Sequence, residues 1–155
     1  MTKSSNLYIG MDVHKESIDI ALAEGAGRQE VRHYGSIGGD LPALDQAVRK
    51  LQATGKTLHF VYEAGPCGYV IYRHLTAKGL ACVVVAPSMI PKRSGDRVKT
   101  DRRDAEMLAR LHRAGELSAV YVPYPEDEAI RDLTRAREDA KETQTRARHQ
   151  LKAFL

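Results

Sequence analysis

The order of strand-like and helix-like segments constrains this chain more than any other feature of it. Residues 7–13 are mostly apolar and β-rich, and predict a buried strand that carries one acid, Asp12. Residues 17–22 alternate polar and apolar, as a strand with one exposed face does. A Gly-containing turn follows at 24–28, and residues 30–34 read as a third strand. Three strands on short turns predict an antiparallel meander. Asp40 then caps a helix with Leu41, Leu44, Val48 and Leu51 at helical spacing and Gly55 beyond its end. Residues 58–62 form a fourth strand, 69–75 a short helix, and 81–85 a continuous apolar run suited to a strand buried on both faces. Residues 87–99 read as a loop. Thr100 caps a helix from 101 to about 114 that Gly115 ends, and 120–122 read as a short last strand. A meander followed by βα units implies an α/β fold, a mixed five-stranded sheet flanked by helices with right-handed crossovers.

Beyond Pro125 the sequence has neither Gly nor Pro, so 126–155 predict one long helix, roughly 45 Å if fully formed. Ile130, Leu133, Ala140, Ala147, Leu151 and Leu155 give it a thin apolar stripe near heptad spacing, which calls for a partner helix. The expected organisation is a domain over 1–124 and a charged helix, the start of a coiled coil, over 125–155.

Composition narrows the function classes. The longest apolar run, 80–86, is too short to span a bilayer, and no signal-peptide core precedes the first strand. Both features favour a cytoplasmic protein without a membrane partner. Cys67 and Cys82 are expected to be reduced thiols, and no Cys/His cluster has zinc spacing. The net charge of +4 is matched by the stretch 92–113 alone, with eight basic and four acidic residues. A basic strip of this kind is the footprint of a phosphate backbone, although a solvated helix face looks the same. Lys15, Arg93, Arg97, Lys99, Arg102 and Arg103 are the candidates for backbone contacts.

Four carboxylates fall where such a sheet would gather them. Asp12 is alone in an apolar strand, and a buried charge is costly unless paired or bound to metal. Glu63 ends the fourth strand, where α/β sites commonly form. Asp101 and Asp104, three apart at a helix start, share a face. Plainer readings stand beside these: a strand-end turn for Asp12, an ordinary polar residue for Glu63, complements to the helix dipole for Asp101 and Asp104. Together the four would repel one another unless they held hard cations, and Mg²⁺ prefers carboxylate and water oxygens. His14 is a candidate phosphate contact, or equally a surface pair with Lys15. His59 is expected to be structural, and Tyr62, Tyr69 and Tyr72 to pack.

At these residues the chain resembles the N-terminal RuvC-like domain of the DEDD transposases of the insertion sequence 110 family. The matching stretches are YIGMDVHKESIDIAL, FVYEAGPCGYVIYRHL, VVVAPSMIPKRSGDRVKTDRRDAEMLARL and RARHQLKAFL, which together run the length of the chain. The resemblance implies an RNase H-like fold, with the catalytic, metal-binding tetrad on Asp12, Glu63, Asp101 and Asp104 and Mg²⁺ as cofactor, Mn²⁺ substituting. It implies a bacterial, nucleoid-associated recombinase that cuts and joins DNA under the direction of a structured guide RNA. It also implies a homo-oligomer built through the 125–155 helix. Family members continue into a second domain carrying a nucleophilic serine. This chain stops at Leu155, so the expectation is a truncated product or a fragment unable to complete recombination alone.

Three other functions compete. A free-standing junction nuclease of the same fold would use the tetrad itself for cleavage by water. A truncated, non-catalytic nucleic-acid-binding or dimerisation module would use only the basic strip and the helix. An actin-like sugar kinase also opens on an Asp-bearing strand, but needs glycines after it where Val13-His14-Lys15 stand.

Overall fold

A computed structural model describes residues 5–25, 30–91 and 100–155. It contains five strands and four helices: β1 (Asn6–Val13), β2 (Ser17–Glu24), β3 (Arg32–Gly38), α1 (Leu41–Gln52), β4 (Thr57–Glu63), α2 (Val70–Ala77), β5 (Ala81–Val85), α3 (Asp101–Ala114) and α4 (Pro125–Phe154), with a 3₁₀ turn at Pro87–Met89. The sheet order is β3-β2-β1-β4-β5. β1 runs antiparallel to β2, and β2 to β3, while β1–β4 and β4–β5 are parallel. This is the expected meander joined to two βα units, with β1 at its centre.

Local chemistry sets the helix ends. The Asp40 carboxylate accepts from the Ala43 amide at 2.7 Å, and the Thr100 hydroxyl accepts from the Arg103 amide at 3.3 Å. Gly115 closes α3 in the left-handed region, at φ 71°.

Strand parity assigns the two faces of the sheet. Leu7, Ile9 and Met11 of β1 and Leu58, Phe60 and Tyr62 of β4 point one way, and all are buried. α2 lies on that face. The Tyr62 hydroxyl donates to the Gly68 carbonyl at 3.0 Å and accepts from the Tyr72 amide at 3.3 Å, and burial pushes its pKa up. Asp45 of α1 meets His74 of α2 at 2.7 Å, so these two helices are tied together. α3 covers the opposite face, where Ala105 and Ala109 pack on Ala21 and Ala23 of β2, and Leu108 and Leu111 on Val61 and Val85.

Three expectations change in detail. β3 begins at Arg32 and runs to Gly38, later than 30–34, because its pairing with β2 (Ile18↔Ile37, Asp19↔Ser36) and not its own weak pattern fixes it. Residues 120–122 form no strand. Ala119 makes one antiparallel bridge to Val85, the Val120 amide donates to the Val84 carbonyl at 2.8 Å, and Pro123 then ends the pairing. β5 is an edge strand with Val83 only partly buried. Both cysteines are free thiols, and burial pushes that of Cys82 up to about 12.

Contacts divide the chain into Met1–Val120 and Tyr121–Leu155. The second unit is dominated by α4, which buries none of its side chains. Ile130, Leu133 and Leu151 are each 60% or more exposed. Among the described residues no helix is long and apolar enough to cross a membrane.

Candidate metal centre

The centre begins with a glycine. Tyr8, Gly10 and Asp12 alternate with the buried apolar residues of β1 and therefore face α3. A Cβ on Gly10 would fall on the Ala105 carbonyl oxygen and within 2.5 Å of the Ala109 nitrogen. The backbone of α3 thus lies directly against β1. That approach carries the first turn of α3, with Asp101 and Asp104, to the end of the strand that holds Asp12.

The side chains converge there. His14 Nε2 is 3.1 Å from Asp12 Oδ2 and 3.4 Å from Asp101 Oδ1. Ligand atoms of Asp12, His14 and Asp101 all lie within 4.8 Å of one another. Burial raises the Asp12 pKa, the His14 hydrogen bond opposes that rise, and the charges of Asp104 and Asp101 add to it. His14 is raised in turn, chiefly by its bond to Asp12. Burial and the neighbouring acids thus disfavour the Asp12 carboxylate ion, a cost that a bound cation would offset.

Glu63 ends β4 and is half-buried. The last parallel pair between β1 and β4 is Met11↔Tyr62, so Asp12 and Glu63 follow on adjacent strands and on the same face. Its carboxylate is not one of the three groups that meet within 4.8 Å. Asp104 is half-buried and acts on Asp12 through its charge.

The basic candidates are dispersed. Lys15 is exposed in the turn after β1. Arg102 is engaged with Glu106 at 2.9 Å one turn along α3, and Arg103 is exposed beside it. Arg93, Arg97 and Lys99 lie outside the described residues.

Two features escaped the sequence. His14 bridges two of the acids, whereas its position alone indicated a phosphate contact or a surface pair with Lys15. Asp19, in the apolar strand β2, sits directly opposite Asp12 in the ladder. Its two oxygens are taken by β3: His33 Nε2 at 3.0 Å and the Ser36 hydroxyl at 3.3 Å. The alternation Ile18-Asp19-Ile20, an acid on an apolar strand as at Asp12, was the available signal. His59 does pack, stacked on Tyr8 at 5.1 Å with His112 edge-on to Tyr8 at 5.3 Å.

Carboxylate oxygens with one imidazole are a donor set that suits a hard or borderline divalent ion, Mg²⁺ through the oxygens and Mn²⁺ through both. The residues present therefore fit such an ion.

The sequence matches a family model described as Transposase, of the DEDD type of insertion sequence 110, over residues 9–155. It is 48% identical over 148 residues to a protein called putative transposase y4qE of Sinorhizobium fredii, covering 96% of this chain and 38% of that protein. It is 38% identical over 150 residues to the transposase for insertion sequence element IS1533 of Leptospira borgpetersenii, covering 96% and 43% respectively. A second Sinorhizobium fredii protein, putative transposase y4rJ, is 32% identical over 163 residues. The chain thus spans about two fifths of the length of the curated relatives it matches.

Proposed function

This chain belongs to the DEDD transposase family of insertion sequence 110, and from that membership we propose that it is the metal-binding and nucleic-acid-binding part of a DNA recombinase. Its RNase H-like sheet serves to bring acids from distant parts of the chain to one end of β1. The observation that carries the reading is the convergence of Asp12, His14 and Asp101 within 4.8 Å at that end. Asp12 is the central ligand, Asp101 and Asp104 approach from α3, and Glu63 completes the set from β4. Bound Mg²⁺, or Mn²⁺ in its place, would supply Lewis acidity to a scissile phosphate and lower the pKa of an attacking hydroxyl or water. The bond to Asp12 favours the protonated form of His14, which stands between Asp12 and Asp101 and would turn toward phosphate when those acids take a cation.

DNA is the substrate, and Lys15, Arg102, Arg103 and the basic residues Arg93, Arg97 and Lys99 contact its backbone. A structured guide RNA selects the site. The exposed apolar stripe of α4 pairs with a second copy, and the protein acts in the bacterial cytoplasm at the nucleoid. The part of the relatives that this chain does not span, about three fifths of their length, supplies the remaining chemistry of transposition.

The test is a titration of Mg²⁺ or Mn²⁺ into wild type, Asp12→Ala and Asp104→Ala, following heat of binding and melting with and without structured RNA. At a hundredfold excess over Kd a ligand of the native state stabilises it by about 2.7 kcal/mol. Stabilisation of wild type that vanishes in both variants supports the centre; identical behaviour in all three overturns it. Metal-dependent cutting of branched DNA by the chain alone would move the reading to a junction nuclease.

A further inference from the structure

His14 also lines a pocket of about 560 Å³. Its walls are apolar: Val13, Leu41, Pro66, Val70 and Ile71, with Cys67 among them. Lys15 and Asp40 stand in the same lining, and the pocket abuts the N-terminus of α1. The Asp40 carboxylate accepts from the Ala43 amide and keeps its charge, so it offsets the positive end of the α1 dipole and leaves Lys15 as the cation of the lining. Gly39 allows the wall to close. Its amide donates to the Glu16 carbonyl at 3.1 Å, and a Cβ would come within 2.9 Å of the Lys15 carbonyl carbon.

We infer that this pocket takes an unpaired nucleobase of the same strand whose phosphate rests at the carboxylate centre. The inference rests on the function proposed above and adds a subsite to it. Three observations converge on a nucleotide and not on an apolar peptide. The pocket and the centre share His14, whose ring lines one while its Nε2 touches Asp12 and Asp101 of the other. The pocket's size falls in the range of small-ligand sites and admits a base with its sugar, but no duplex. Apolar walls suit the ring of an extruded base, and Lys15 in the lining offers an ammonium to the phosphate attached to it.

The probe is a short DNA single strand with 2-aminopurine moved through each position, added to the full chain in Mn²⁺. Anisotropy of a terminal dye reports strand binding, and 2-aminopurine emission reports burial of one base. Val70 is the residue to change, because it is 55% exposed at the first position of α2 and tolerates substitution without disturbing the core. The expected result is a changed emission at one position in wild type and in Val70→Leu. In Val70→Glu that change is lost and strand binding weakens roughly tenfold, the scale of one stacked base, while the metal-induced rise in melting temperature is unaltered. Strand binding with identical emission at every position overturns the pocket and leaves the metal centre standing. Wild-type emission retained in Val70→Glu also overturns it. Absence of strand binding, or of the metal-induced rise, overturns the function proposed above and the pocket with it.

Discussion

The two faces of the central strand are built on opposite plans. One presents Leu7, Ile9 and Met11 and shares a core with Phe60 and Tyr62, all close to fully buried. The other presents Tyr8, Gly10 and Asp12 to a helix that meets β1 and β2 through Ala105 and Ala109 on Gly10, Ala21 and Ala23. Large side chains hold a helix at a distance and bury much apolar area, roughly 1.5–3 kcal/mol for each large residue. Small ones bury less but let a helix backbone lie against the sheet. The first face mainly supplies stability, the second mainly position, and the acids are all on the second.

That division breaks most visibly at Phe60. Phe60→Ala should lower stability by about 3–5 kcal/mol, as a full aromatic cavity does, measured by urea unfolding. The protein that remains folded should bind Mn²⁺ with wild-type affinity, because nothing on the α3 face has moved. Gly10→Ala tests the opposite face. It adds one carbon where backbone atoms already stand, so α3 must shift. A loss of about 2–3 kcal/mol is expected from overpacking, together with loss of the metal-induced rise in melting temperature. If Gly10→Ala binds metal normally, close approach of α3 is not what assembles the centre.

A third variant concerns the ring cluster at the other end of that face. His112 is pushed below its ordinary value of 6.5, first by burial and then by the neighbouring His59. A histidine depressed in the fold binds its proton more readily when unfolded. Stability is therefore intact above the unfolded value and falls as pH drops below it, levelling once pH passes the folded value. His112→Phe keeps a ring beside Tyr8 and should flatten the melting temperature between pH 6.5 and the acid limb. The smallest expected effect belongs to Asp19→Ala, which removes the two bonds to His33 and Ser36 and should cost about 1 kcal/mol. It also removes a negative charge directly opposite Asp12, so Mn²⁺ should bind somewhat less tightly if Asp19 adds to the field of the centre, and unchanged if its charge is fully satisfied by β3.

Much of the frame was legible because it is written in local chemistry. The caps at Asp40 and Thr100, the stop at Gly115 and the apolar runs of β1, β4 and β5 need only near neighbours in the sequence. What was not legible depends on register. β3 is an edge strand with no fully buried side chain, so its own pattern fixes neither its start nor its partner. Asp19 becomes notable only once it is paired with Asp12, and Gly10 only once α3 is laid across it. His14 looked like a surface residue because its two partners are the residue two before it and one on a helix far along the chain.

The place of β1 between an antiparallel and a parallel neighbour also orders events in time. β1, β2 and β3 are neighbours in sequence, so their pairing closes only short stretches of chain. Pairing of β1 with β4 (Asn6↔Thr57) must wait for α1 to be made, and docking of α3 waits longer still. In order of synthesis β1 to β5 are all made before Asp101 and Asp104, so these acids can join Asp12 only once every strand of the sheet is in the chain.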